Sequence, residues 1–130
     1  MTGIESLDRI RDEAARENIL QIADSFVAAV HPLQIILFGS FADGSYTDES
    51  DYDFYLVIDD GASLHDACSR AHRAASEVKE RPVDIVVGHD SYFERKGKME
   101  NTLMVEGEVH KHGIVLYREN PRSTCSRHSM

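Results

Sequence analysis

The sequence predicts an α/β fold (α+β by stricter usage), a small mixed β-sheet flanked by helices in a single domain over residues 1–118. Three observations predict it. Short apolar and β-branched runs, QIILF, DFYLVI, VDIVV and IVLY, recur at strand length. Stretches with apolar residues at helical spacing alternate with them. Proline or glycine marks the junctions at Pro32, Gly39, Gly61 and Pro82.

Ile4, Leu7, Ile10, Ala14, Ile19, Ile22, Phe26 and Val30 recur every three to five residues and read as one amphipathic helix, stopped at His31-Pro32. Gln34 to Phe38 is a buried strand broken by Gly39-Ser40. Phe41 to Ser50 is polar and turn-forming, with room for a helical turn at its start. Asp53 to Ile58 is the second strand. Ser63 and Asp66 have capping-box spacing, and Leu64, Ala67, Cys68, Ala71, Ala75 and Val78 continue as a helical face. After Pro82, Val83 to Val87 is the third strand. A weaker helical stretch falls within Tyr92 to Glu108, interrupted by Gly97, and Ile114 to Tyr117 is a fourth strand. Gly107 and Gly113 read as loop punctuation around that strand. Residues 119–130, rich in Ser, Arg and Pro, read as a disordered tail.

Composition narrows the function classes. A chain of 130 residues with 42% hydrophobic content can bury one core. The formal net charge of -9 argues against direct nucleic-acid binding, which calls for a basic surface. It does not argue against a small phosphate ligand held through a cation. No apolar run approaches membrane-spanning length, and the N-terminus has no secretory pattern. Cys68 and Cys125 lie far apart and form no framework, so the expected compartment is the cytoplasm.

The element order places chemistry at one sheet edge. A helix joins the second and third strands, so they are expected to run parallel, with Asp51 and Asp53 at the start of one and Asp84 at the start of the other. Side chains two apart in a strand share a face, which groups Asp51 with Asp53. An antiparallel first strand would bring Gly39-Ser40 to the same edge. Like charges about 4 Å apart repel by ~4 kcal/mol at a protein surface, so such a cluster shares protons or binds a hard cation. Mg2+ (or Mn2+) suits a few carboxylates plus the phosphates of a substrate. The glycine allows close backbone approach to a phosphate, and the serine hydroxyl can donate to it.

Gly39-Ser40, ten intervening residues, Asp51-Tyr52-Asp53-Phe54 and the later Val83-Asp84-Ile85-Val86 together resemble the polymerase-β-like nucleotidyltransferases, nearest to their minimal members. The resemblance runs from about Ile35 to Val87, with a weaker echo in Val105 to Tyr117. It implies a palm-like fold in which Gly39 and Ser40 contact the triphosphate. It further implies that Asp51, Asp53 and Asp84 hold the metal, with Asp84 helping to deprotonate an acceptor hydroxyl. The implied reaction transfers a nucleoside monophosphate, AMP from ATP, and releases pyrophosphate. A helical HEPN-type protein is the implied partner, and the alternative role is a non-catalytic antitoxin that neutralises it by docking. One departure is the acidic loop (Asp43, Asp48, Glu49) where many relatives carry a basic residue. It should weaken triphosphate binding in the absence of metal.

Simpler readings do less well. A solvated turn explains Asp51 and Asp53 but not Asp84, which within an apolar strand would be an unpaired buried carboxylate. An EF-hand fails because Asp48 stands at the sixth position and Phe54 at the twelfth. There is no GxxxxGK(S/T) loop. His65, Cys68 and His72 lack a fourth zinc ligand, and Cys68 is expected in the core instead. His110 and His112 are expected to face solvent, and the basic residues Arg95, Lys96 and Lys98 to form a solvated surface.

Overall fold

The computed structural model describes Leu7, residues 10–97 and residues 105–119. The order is α1 (Glu13–Val30), β1 (Gln34–Phe38), α2 (Ser40–Asp43), β2 (Tyr52–Ile58), α3 (Leu64–Ser76), β3 (Val83–His89), α4 (Asp90–Gly97), α5 (Val105–His112) and β4 (Ile114–Arg118). The strands form one sheet in the order β3-β2-β1-β4. The β2–β3 pair is parallel, and β1 is antiparallel to both β2 and β4. This is the mixed sheet the sequence predicts. Ile4, the segment from Lys98 to Met104, and the tail beyond Glu119, including Cys125, lie outside the described residues.

β1 and β2 are the central strands, and both of their faces are covered. That is why QIILF and YDFYLVI are nearly continuous apolar runs rather than alternating ones. On one face Ile35, Leu37, Phe54 and Leu56 pack beneath α1 and α3, with Phe26 edge-on to Phe54 at 5.2 Å. On the other, Ile36, Phe38, Tyr55 and Val57 meet Phe93 of α4 and Val109 of α5. Tyr55 Oη donates to the buried Glu106 carboxylate at 2.8 Å. Burial and this bond both hold the phenol in its protonated form.

α1 starts at Glu13, not as part of a longer helix from residue 4. The Asp12 carboxylate accepts from Ala15 N, and Tyr46 Oη accepts from the backbone N–H groups of both Arg11 and Asp12. Those outside partners hold the chain out of helical register, so Leu7 and Ile10 are buried ahead of the helix, and Ala15 faces the core in place of the exposed Ala14. In α3, Ser63 caps Asp66 N as its spacing predicts. The buried stripe, however, is Ala67, Ala71 and Ala75, while Cys68 is half-buried and Leu64 and Val78 are exposed. The weak helical stretch resolves into α4, ending at Gly97, and α5, which contains Gly107 as a buried helical residue rather than a loop one.

A buried polar side chain ties the layers together. Asn18 of α1 is 1% exposed, donates to Val78 O at 2.8 Å and accepts from Glu80 N at 2.9 Å. Asn18→Ala would leave both backbone groups unsatisfied and is expected to cost about 2 kcal/mol, read as a Tm loss of roughly 6–10 °C. A thermal melt within 1–2 °C of wild type, on the order of a surface substitution, would show that water replaces both bonds.

Candidate functional site

β1 ends at Phe38, and Gly39 turns the chain with φ 78 and ψ -156, a conformation open in practice only to glycine. Its carbonyl accepts from Ala42 N and Asp43 N at 3.1 Å, which starts the single helical turn α2 at Ser40. That turn was expected one residue later, at Phe41. Any Cβ on Gly39 would overlap the Asp53 carboxylate, so the missing side chain is what lets the acid lie against the turn.

Register does the rest. Phe38 pairs with Asp53 across β1–β2, and Asp53 pairs with Asp84 across β2–β3. Directly paired residues on neighbouring strands point to the same face, so Asp53 and Asp84 are side by side. Asp51 lies just ahead of β2, where Tyr52 N donates to Pro82 O at 3.1 Å. The structure therefore brings Gly39, Asp51, Asp53 and Asp84 to one edge, with Ser40 opening the adjacent turn.

Burial of the acids differs from expectation. Asp51 and Asp53 are half-buried, but Asp84 is exposed rather than enclosed in an apolar strand. β3 is an edge strand, and the apolar contacts of α4 and α5 with the sheet lie further along it, on Tyr55 and Val57. The Asp53 carboxyl is pushed up to about 6 by burial first, then by the charges of Asp84 and Asp51, a hydrogen bond to Asp84 and the charge of Glu108. A half-buried acid beside other acids holds its proton longer than one in water.

Among the described residues no group of three or more His, Cys, Asp or Glu side chains is already arranged as a metal centre. This holds for His65, Cys68 and His72 as well as for the aspartates. The chemistry of the aspartate set nevertheless fits a hard divalent cation. It offers carboxylate oxygens only, and the charges of Asp84 and Asp51, which add to burial in raising the Asp53 pKa, are what a cation would offset.

Three features escaped the sequence. Glu108 of α5 adds its charge to that on Asp53 from far along the chain. Asp43 accepts from Ser45 N and Ser45 Oγ at 2.8 and 2.6 Å, and these bonds lower its pKa. Part of the loop's acidity thus serves its own turn. Arg81, which no motif singles out, donates from Nη1 to Asp48 O at 2.9 Å and to Ser50 O at 3.3 Å. A cavity of about 410 Å³ opens beside Asp51; Asp12, Asp48, Glu49 and Glu80 line it together with Arg81, so its wall is mostly but not wholly acidic.

A family model described as Polymerase beta, Nucleotidyltransferase matches residues 20–122. A solved structure described as a candidate nucleotidyltransferase from Sulfolobus solfataricus is similar over 92% of this chain and 89% of its own, with 20% identity and a TM-score of 0.52. A chain from a crystal structure of a toxin-antitoxin with AMP-PNP is similar over 85% of this chain and 86% of its own, with 19% identity and a TM-score of 0.53. At these identities the two likenesses show a shared fold. No curated protein matches the chain. Among the described residues no helix is long and apolar enough to cross a membrane.

Proposed function

The chain belongs to the polymerase beta nucleotidyltransferase family, and from that premise we propose that it transfers AMP from ATP to a hydroxyl of a partner protein, releasing pyrophosphate. The observation that carries the proposal is the turn at Gly39, closed against Asp53, with Asp53 in register with Asp84.

In this reading Asp51, Asp53 and Asp84 hold Mg2+ or Mn2+. Bound there, the metal supplies charge neutralisation for the triphosphate and for the attacking and leaving oxygens. Gly39 and Ser40 hold the phosphates through backbone N–H groups and the serine hydroxyl. The acceptor oxygen bonds to the α-phosphorus while the bond to the bridging oxygen of pyrophosphate breaks. The acceptor proton passes to Asp84, whose exposure on the edge strand lets an acceptor approach from outside.

A protein acceptor suits this open edge. Small molecules usually need a pocket that buries most of their surface, whereas a protein brings its own surface and orients its hydroxyl by docking. The toxin-antitoxin neighbour supports a protein partner, and a helical HEPN-type chain is the one proposed. The same neighbour favours a second reading, in which the chain neutralises its partner by docking alone.

Incubation with Mg2+, α-labelled ATP and the candidate partner is expected to add one AMP to a Tyr, Ser or Thr of the partner, located by peptide mass spectrometry. Asp84→Asn should remove the label. Neutralisation without any mass increase, equal in wild type and Asp84→Asn, would decide for docking.

A further inference from the structure

Three parts of the proposed site meet at Arg81, at the start of the segment that carries Asp84. Its Nη1 donates to the carbonyls of Asp48, Ser50 and Thr47 at 2.9, 3.3 and 3.5 Å, the last at the limit of a hydrogen bond. Its guanidinium also lies 5.3 Å from the centre of the Phe41 ring. Phe41 belongs to the turn that follows Gly39 and stacks on Tyr46 at 4.4 Å. The arginine itself is anchored on both sides: Glu80 N donates to Asn18 Oδ1, and Pro82 O accepts from Tyr52 N.

The loop it grips is closed on itself, Thr47 N donating to Ser50 Oγ at 2.8 Å and Ser50 N to Thr47 O at 3.1 Å, and Arg81 joins that closed turn to the start of β3. Residues 45–51 contain no helix or strand, and Thr47, Asp48 and Glu49 are exposed. They carry two acidic side chains, and the segment ends on Asp51. Asp51 is held on one side by Tyr52, whose N–H donates to Pro82 O, and on the other only through this loop, so a loose loop would let its carboxylate turn away from Asp53 and Asp84. A planar guanidinium can reach several carbonyls at once and still face a ring, which a lysine ammonium cannot do in this way.

We infer that Arg81 is a positioning residue: it clamps the 47–50 backbone against the Phe41 turn and so delivers the Asp51 carboxylate to Asp53 and Asp84. This rests on the proposed metal-binding role of the aspartates. Arg81 touches neither nucleotide nor acceptor in this account; it acts through Asp51. Its carbonyl partners at Thr47 and Asp48 are exposed and can turn to water when the arginine is lost, so the fold should survive the change.

The experiment is Mn2+ titration of wild type, Arg81→Ala, Arg81→Gln and Arg81→Lys, followed by electron paramagnetic resonance, with hydrogen exchange on the same proteins. Arg81→Ala and Arg81→Gln are expected to weaken Mn2+ binding roughly 10- to 100-fold, the range for residues that orient metal ligands. Arg81→Lys should recover only part. Exchange should quicken at loop amides such as Ser45, Thr47 and Ser50 while the β2 amides of Phe54 and Leu56 keep wild-type protection. Unchanged Mn2+ affinity in Arg81→Ala and Arg81→Gln would overturn the inference, and so would faster exchange throughout β2, which marks a merely structural role. Wild type that binds no Mn2+ would instead overturn the metal-holding reading of the aspartates, and the inference with it.

Discussion

Gly39→Ala is expected to destabilise the protein by on the order of 2–4 kcal/mol and to abolish Mn2+ and nucleotide binding at the carboxylate edge. Two costs combine. The backbone at φ 78 and ψ -156 is strained for any L-residue, and the new methyl would overlap the Asp53 carboxylate. Relief requires either the turn or the acid to move, and both are assigned to the site. Chemical denaturation gives the stability, and a cycle with Asp53→Ala separates the two causes. Trimming Asp53 removes the overlap but leaves the backbone strain, so the pair should be less destabilised than the sum of the single changes. Additive effects, or an alanine variant as stable as wild type, would show that the close approach does not constrain the turn.

Asp53→Asn is expected to lower transfer by roughly 1000-fold or more, since several kcal/mol of transition-state stabilisation depend on the metal it is proposed to hold. The same change should make the metal-free protein more stable near neutral pH. The sign follows from the raised acid. With its ordinary value near 3.8 in the unfolded chain and about 6 in the fold, Asp53 binds more protons when folded between those pH values. Stability from this group is therefore fully present below pH 3.8 and lost as pH rises through 6. Because the carboxyl is only half-buried, solvent screening reduces the effect to about 1 kcal/mol. Denaturation at pH 5 and pH 7.5 reads it directly as a pH-dependent gap between wild type and Asp53→Asn. Proton and cation compete for the same oxygens, so Mn2+ affinity should fall below about pH 6, by up to about tenfold per pH unit. A flat affinity profile from pH 5 to 7.5 would mean Asp53 is not among the ligands.

The amino-acid sequence by itself determined the strands, the turn after Phe38 and the grouping of Gly39, Asp51, Asp53 and Asp84. Each follows from a local period or from a short connection. Side chains alternate with period two in a strand, and a helical connection such as α3 favours a parallel β2–β3 pair whose starts lie together. Tertiary structure alone decided which strands stand at the edges. That placement exposes Asp84, because β3 has a neighbour on one side only and lacks apolar cover over its start. It likewise decided where α1 begins, since the Tyr46 hydroxyl that holds Arg11 and Asp12 out of the helix comes from more than thirty residues away. The contact of Gly39 with Asp53, the charge of Glu108 and the grip of Arg81 on the loop belong to the same class. They are side-chain meetings between segments distant in sequence. No local periodicity encodes them, because they exist only once the sheet order has brought those segments together.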